Sequence, residues 1–307
     1  MQPNIYRMNF KKTATTIEQQ LEKLQTRGMI FENGEKAMEN LLDIGYFRLG
    51  FYWFPFECTY PRKDNRNHKL KPDTKFEFII QLYYFDFDLR NILLRYISRI
   101  EINFRTQLIY MVSNKYCDNP FWYVDKAIID ESYINDKKYK AALTDTKKEE
   151  VIKRDLRNHH DHEYAPAWKT IEYLSFGNVI QLYDNLKDGG LKAKIAKSYG
   201  IQSPNQFSNY INTIRRLRNY CAHGKVLFDI NFPEAISTSG PAGNLGARKT
   251  MLSGAYMVLQ YILGRISLNR TTDMDRALYR AFEIIEYEEV KAIIRDNSGI
   301  DFSNLKK

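Results

Sequence analysis

One long amphipathic segment, from residue 73 to about residue 114, constrains the fold of this 307-residue chain more than any other feature. Its apolar side chains recur at the spacing that puts them on one side of an α-helix. They are Ile79, Leu82, Leu89, Leu93, Ile97, Ile100, Phe104 and Leu108. Helical signals dominate the remaining sequence as well, so we predict an all-α fold with a helical bundle at its centre.

Capping residues indicate where the other helices begin. A hydroxyl at Thr15 or Thr16 begins a helix that ends at Gly28, and Asn33 caps a second one. Residues 45–61 are rich in aromatic residues and end in prolines, which predicts an irregular or hairpin-like element. Further helices are predicted at about 166–187, 191–199, 204–223, 249–267 and 272–294.

A polar, basic loop at residues 61–73 marks the predicted domain boundary. We therefore predict an N-terminal helical and aromatic region over residues 1–72. A helical domain follows over residues 73–307, with its core helix at about 204–223 and C-terminal helices at about 249–294.

Composition limits the class of protein. With 44% hydrophobic residues the chain is expected to fold, and we expect neither a membrane span nor a secretory leader, because no long apolar run and no charged-then-apolar start is seen. Three scattered cysteines, Cys58, Cys117 and Cys221, lack metal-ligand spacing and indicate a reducing, cytoplasmic location. A net charge of +9 favours an anionic partner, most commonly nucleic acid.

The predicted helix at 204–223 holds an arginine among its apolar side chains. At about 100° per residue, Arg218 falls inside the arc of apolar residues, whereas Arg215 and Arg216 fall outside it, as solvated arginines do. The arc contains Phe207, Ile211, Ile214 and Cys221. Because a guanidinium is costly to bury unpaired, we expect Arg218 to be buried against an acid, an anion or a partner chain.

Two residues near Arg218 make the same helix end a candidate catalytic site. An arginine fits a phosphate that gains charge in a transition state. His223, in the last turn, suits proton transfer near neutral pH, and Asn219 lies one turn before it. This set suits cleavage of RNA by its own 2′-hydroxyl, which needs proton transfer and stabilisation of the phosphorane but no metal.

The sequence RNYCAH, residues 218–223, resembles the Arg-Asn-x-x-x-His motif of HEPN-superfamily ribonucleases, specifically those of the abortive-infection AbiD/AbiF-like family. Residues 44–56, 99–110 and 166–186 resemble other blocks of that family in the same order. The resemblance implies a HEPN-type bundle with an N-terminal helical extension and extra C-terminal helices. It implies a metal-independent, cofactor-free endoribonuclease of phage defence, with Arg218, Asn219 and His223 as its catalytic residues.

The same resemblance implies a toxin-like activity that stays inhibited until a phage infects the cell. It implies a homodimer in which two motifs form one composite site, and a structured noncoding RNA as a candidate regulator. Glu101 would hold Arg218 in place, as a residue of the preceding bundle helix does in HEPN domains. Alternatively, Glu101 and Arg105 form an ordinary ion pair one helical turn apart.

Candidate phosphate contacts are Lys147, Lys148, Lys153, Arg154, Arg215 and Lys225.

Two other functions remain open from the sequence. A HEPN protein with a silent site would act as an RNA-binding scaffold or regulatory partner. A metal-dependent hydrolase could instead use His159, His160 and His162, although a solvated basic loop is the favoured interpretation of that cluster and no metal site is predicted. Cleavage that depends on His223 distinguishes the nuclease from both.

Overall fold

The computed structural model describes residues 13–237 and 240–305. Fourteen α-helices and several short 3₁₀ helices form the regular structure of these ranges, where β-pairing is limited to isolated bridges. The predicted all-α fold is therefore confirmed. Within the same ranges, no helix has both the length and the apolar character that crossing a membrane requires.

The chain forms two compact units, of which the first comprises Met1–Phe87 and Ile285–Ile293. The helices that begin in its N-terminal stretch are α1 (Ile17–Thr26), α2 (Gly34–Ile44), α3 (Tyr46–Trp53) and α4 (Phe76–Lys115). Two predicted caps are confirmed, because the Thr16 and Asn33 side chains both accept hydrogen bonds from first-turn N–H groups.

The second unit comprises Asp88–Ile284 and Ile294–Lys307. Helix α4 crosses from one unit to the other, so this division differs from the predicted boundary at residue 72, which lies in the loop before α4. The later helices are α5 (Glu131–Ile134), α6 (Lys137–Thr146), α7 (Glu150–Asn158), α8 (Ala167–Thr170), α9 (Phe176–Asp184), α10 (Gly189–Ser198), α11 (Pro204–Ala222), α12 (Leu252–Ile266), α13 (Leu268–Glu283) and α14 (Glu288–Ser298).

Helix α4 supplies the core that its sequence pattern predicts. All eight apolar residues of the predicted stripe are buried. In the second unit, the Phe104 ring lies 5.7 Å from that of Phe207 on α11 and 5.9 Å from that of Tyr183 on α9, measured between centroids. These aromatic contacts pack α9 and α11 against α4 and so position the helix that carries the RNYCAH sequence.

The prediction of an irregular or hairpin-like element over residues 45–61 is wrong for most of that range. Helix α3 occupies its first half and continues into a 3₁₀ turn, and a single antiparallel bridge follows between Glu57 and Leu70. The aromatic residues favour a helix here because Leu49, Tyr52 and Trp53 share one buried side. The local propensity of these residues indicates an irregular or hairpin-like element, but tertiary packing makes the segment helical.

Two predicted long helices are interrupted. The range 166–187 contains α8, a 3₁₀ turn and α9, because Ser175 accepts a hydrogen bond from a first-turn N–H and starts a new helix. The range 272–294 contains parts of α13 and α14, separated where the Glu286 N–H donates to the Gln81 side chain at 3.0 Å. A side-chain partner thus replaces the helical one at each break.

Candidate functional site

Helix α11 begins and ends where its capping residues predict. The Ser203 hydroxyl accepts a hydrogen bond from a first-turn N–H at 3.3 Å. At the other end, the His223 N–H donates to the Asn219 carbonyl at 3.0 Å. Gly224 follows with a φ of 62°, which glycine adopts without strain. His223 is therefore the C-terminal cap residue of α11.

The Arg218 guanidinium contacts a carboxylate of α4. Its Nε atom lies 3.8 Å from Glu101 Oε2, within the range of an ion pair but longer than a hydrogen bond. The Arg218 side chain is 39% exposed, and the Glu101 side chain is less exposed. An arginine has five N–H donors, so this single contact leaves donors available for an anionic ligand.

Arg105 fixes Glu101 from the other side. Its Nη2 atom lies 3.3 Å from Glu101 Oε1 and donates to the Leu174 carbonyl at 2.9 Å, while Nη1 donates to the Glu172 carbonyl. Both predicted contacts of Glu101 therefore coexist: the ion pair within α4 and the approach to Arg218. Arg105 also joins α4 to the segment directly before α9, which the sequence did not indicate.

Arg218 meets an acid, as expected, but the expectation that Arg218 is buried and that Arg216 is solvated is wrong. The Arg216 side chain is only 12% exposed; it pairs with Glu234 and donates to Thr213 Oγ1 at 3.3 Å. The chain that follows α11 supplies Glu234, so a side of the helix that looks solvated on a helical wheel becomes covered. Conversely, the Arg218 side chain is 39% exposed, although Cys221 in the same predicted apolar arc is buried.

His223 is exposed at the end of α11, and Asn219 is half-buried. In a regular helix, residues four apart lie about 40° from each other around the axis, whereas residues five apart lie about 140° apart. Asn219 and His223 therefore share a side of α11, and Arg218 points elsewhere. Within the described ranges, no hydrogen bond joins the Asn219 side chain to the His223 ring, so an orienting role for Asn219 stays a prediction.

Three of the predicted RNA-binding lysines take part in surface ion pairs, and Arg154 is exposed near them on α7. Such pairs are weak and screened by salt, so these lysines can still contact phosphate groups. The pairs are Lys147–Glu163 at 3.6 Å, Lys148–Asp145 at 2.6 Å and Lys153–Glu150 at 2.8 Å.

Arg215 belongs to a polar network between α9 and α11. Its Nε atom donates to Asn212 Oδ1 at 3.2 Å, and Ser208 donates to the Asp184 carboxylate at 2.7 Å. Burial raises the pKa of Asp184, although hydrogen bonds from Ser208 and Asn212 and the positive charge of Arg215 act in the opposite direction. Asp184 is half-buried, and the charge of Arg215 favours its ionised form.

Lys225, the last predicted RNA contact, is held by its backbone. Its carbonyl accepts a hydrogen bond from Arg90 Nη1 at 3.3 Å, and its ammonium lies 4.4 Å from the centroid of the Tyr220 ring. Arg90 is buried on α4 and fixes the chain just beyond His223. Sequence reasoning missed Arg90, although its position directly after Leu89 in the apolar stripe was an available signal.

The histidine cluster after α7 forms no metal-binding group among the residues that the structure describes. His159 Nδ1 lies 3.0 Å from the Asp155 carbonyl, and the His162 ring contacts Phe121, with 4.8 Å between ring centroids. His160 is exposed. The rings of His159 and His162 stack with 6.2 Å between their centroids, and within the described ranges the cluster does not form a ligand set with carboxylates.

Comparison with known proteins agrees with the resemblance in the RNYCAH region and its flanking blocks. No curated protein and no solved structure is significantly similar to this chain. A family model does match, over residues 39–229, a range that runs from α2 past the C-terminal cap of α11 and covers more than half of the chain. The chain therefore belongs to the family of Abi-like proteins.

Proposed function

We propose that this protein is a metal-independent, HEPN-type endoribonuclease that acts in the cytoplasm in defence against phage. Membership of the Abi-like family supports the role in abortive infection. The observation that carries the chemistry is the pairing of a half-exposed Arg218 with Glu101 at 3.8 Å, on the helix that ends at the exposed His223. A fixed guanidinium and an accessible imidazole are the two groups that this reaction needs.

The reaction uses the RNA strand as its own nucleophile. The 2′-oxygen attacks the neighbouring phosphorus and loses its proton, the bond from phosphorus to the 5′-oxygen breaks, and that oxygen gains a proton. The products are a 2′,3′-cyclic phosphate and a 5′-hydroxyl. In this scheme His223 transfers protons, Arg218 stabilises the negative charge of the phosphorane, and Asn219 orients the imidazole or the substrate.

The directions of the two side chains support a site shared by two copies of the chain. Over five residues a helix rises about 7.5 Å and turns by about 140°, so Arg218 and His223 diverge within one copy. In a two-fold dimer, Arg218 can face the partner subunit's His223 across the same phosphate. In the dimer, one His223 then accepts a proton and the other donates one.

The positive charge of the chain supports RNA as its partner. Its net charge is +9, and the exposed cations of α7 and Lys225 are expected to contact phosphates. A structured noncoding RNA bound to this surface is the proposed regulator that keeps the site inactive before infection.

The test compares purified wild-type protein with His223→Ala on single-stranded RNA, with product ends identified. Loss of a positioned proton-transfer group should slow cleavage by about 10²–10⁴-fold. His160→Ala is the matched control, because His160 is an exposed histidine outside the candidate site. Wild-type cleavage should persist in excess chelator and leave 2′,3′-cyclic phosphates.

Three results would overturn this proposal. Equal cleavage by wild type and His223→Ala would show that the catalytic site does not lie on α11. Inhibition by chelator together with sensitivity to His160→Ala would favour a metal-dependent hydrolase. RNA binding by wild type without any cleavage, in protein freed of bound RNA, would indicate a catalytically silent scaffold.

A further inference from the structure

The first unit contains a cavity of about 320 Å³ whose walls combine aromatic rings with cations. This volume lies at the small end of the range for pockets that bind small ligands. The lining includes Arg27, Tyr46, Phe47, Phe51, Arg66 and His68. None of these residues belongs to α11, and the proposed cleavage reaction uses none of them.

The aromatic wall is unusually open to solvent. Phe47 and Phe51 lie one turn apart on α3 and are 82% and 48% exposed, with their rings in edge-to-face contact at 5.4 Å between centroids. Behind them, the buried Trp53 ring lies 4.9 Å from that of Tyr46. Two adjacent exposed phenylalanines are costly in water, whereas they provide a surface on which a planar ring can stack.

The cationic wall carries more positive than negative charge. Arg27 donates to the Tyr46 hydroxyl at 2.9 Å, and this partner is neutral. Arg66 donates through Nε at 2.9 Å and Nη2 at 2.6 Å to Glu57, which is 1% exposed. His68 Nδ1 lies 3.2 Å from the same carboxylate. Arg27 and Arg66 thus both line the cavity, whose lining residues in the described ranges include no carboxylate, and this positive charge suits an anion.

A glycine leaves room between these walls. Gly50 lies in α3, and the three atoms nearest to a Cβ placed on it all belong to Trp53, at 3.4 Å or more. A side chain at position 50 would therefore extend into the cavity without striking the backbone. Leucine at this position would also favour the helical conformation of α3 more than glycine does.

We propose that this cavity binds a nucleotide, with its base against Phe47 and Phe51 and its phosphate on Arg27 and Arg66. An aromatic surface beside guanidinium groups matches the two chemical parts of a nucleotide, a flat ring and an anion. The small volume suits a single unpaired nucleotide and excludes a duplex. The ligand is either one nucleotide of an RNA strand or a free mononucleotide. The inference does not depend on cleavage, because the cavity lies outside α11.

Binding is measured in full-length protein that carries His223→Ala, so that the result is independent of cleavage. The probes are a short, labelled single-stranded RNA, followed by fluorescence anisotropy, and adenosine 5′-monophosphate as ligand and competitor. Gly50→Leu fills the cavity and Phe47→Ala removes the stacking surface. Matched controls are Tyr110→Ala, another exposed aromatic residue, and Arg62→Ala, an exposed cation that does not line the cavity.

We expect Gly50→Leu and Phe47→Ala to weaken binding by roughly 5- to 100-fold, and the controls to bind like the parent protein. Competition by adenosine 5′-monophosphate would show that a free nucleotide is sufficient for binding. Binding of RNA alone would show that the cavity binds a nucleotide of an RNA strand. Unchanged affinity for both probes in both variants overturns the proposal. So does a loss of self-association in Phe47→Ala without a change in nucleotide binding, which would mark a protein interface instead.

Discussion

At the scale of the residue, two arginines of α11 show that neighbours in sequence can have different surroundings. Arg216 is largely enclosed and pairs with Glu234, while Arg218 keeps more than a third of its side chain in solvent and faces Glu101. The interactions of the enclosed Arg216 with its partners stabilise the fold. The open one retains donors for a ligand.

This contrast predicts opposite effects of two alanine substitutions. Arg216→Ala should lower the free energy of unfolding by about 1–3 kcal/mol, because it removes charged hydrogen bonds and leaves the Thr213 hydroxyl without this donor. Arg218→Ala should change stability by less than about 0.5 kcal/mol, as is usual at exposed sites, and yet abolish cleavage. Urea denaturation and single-turnover cleavage measure the two effects. An Arg218→Ala protein as unstable as Arg216→Ala would contradict the structural difference.

Glu101 is predicted to act through Arg218 as a positioning residue. Glu101→Gln keeps the shape and one acceptor for Arg105 but removes the charge that faces Arg218, so cleavage should slow by about 10- to 100-fold while the melting temperature changes little. Glu172→Gln is the control, because the Glu172 carboxylate lies 3.9 Å from the Arg105 guanidinium and is exposed. A purely structural Glu101 would instead lower the melting temperature and leave the rate constant for bound RNA unchanged.

The residues of the candidate site could be predicted from the sequence, but their burial could not. The helix, its caps and the approach of Glu101 to Arg218 follow from local pattern and from the resemblance. The burial of Arg216 depends on Glu234, which lies in irregular chain after the helix, and Arg218 stays partly exposed beside Glu101 of α4. Neither is encoded in the periodicity of α11 itself.

At the scale of the element, helices with a strong period and a capping side chain were predictable, and those shaped by distant partners were not. Helix α4 and the starts of α1, α2 and α11 match their predicted positions closely. Helix α3 was missed, because its glycine and aromatic content indicates irregular structure while its burial pattern comes from packing. The break before α14 was missed as well, because it needs Gln81.

The segment after α3 offers a test that depends on pH. Burial alone would raise the pKa of Glu57, but its hydrogen bonds with Arg66 and His68 and their charges together lower it. A lowered pKa in the folded state means that this carboxylate stabilises the fold at pH values above the ordinary pKa of about 4.3. That contribution is lost as the pH falls through the lowered value.

Glu57→Gln should therefore destabilise the protein near neutral pH by about 1–3 kcal/mol, with a difference from wild type that shrinks as the solution becomes more acidic than about pH 4. Urea denaturation at several pH values gives the comparison. Glu32→Gln, which breaks an exposed pair with Lys75, should have an effect below about 1 kcal/mol. A constant difference between wild type and Glu57→Gln across the acid range would exclude this role for Glu57.

At the scale of the whole molecule, a shared site predicts rescue between inactive chains. A mixed dimer of Arg218→Ala and His223→Ala keeps one Arg218, on one chain, and one His223, on the other chain, in the shared composite site. Dimers that contain both chains should then recover part of the wild-type cleavage, whereas either substituted homodimer stays inactive, because only the mixed dimer holds both groups. The measurement is cleavage by co-expressed, differently tagged chains isolated through both tags. Inactive mixed dimers would show that both groups act within one chain.

The membership of residues 285–293 in the first unit has a consequence for the synthesis of the protein. There the Tyr287 ring packs 4.7 Å from that of Phe78, near the start of α4. A ribosome must translate nearly all of the second unit before it delivers this last piece of the first. The N-terminal unit can therefore reach its final packing only after residues 285–293 have left the ribosome, and a chain terminated before them would leave the aromatic start of α4 open to chaperones and proteases.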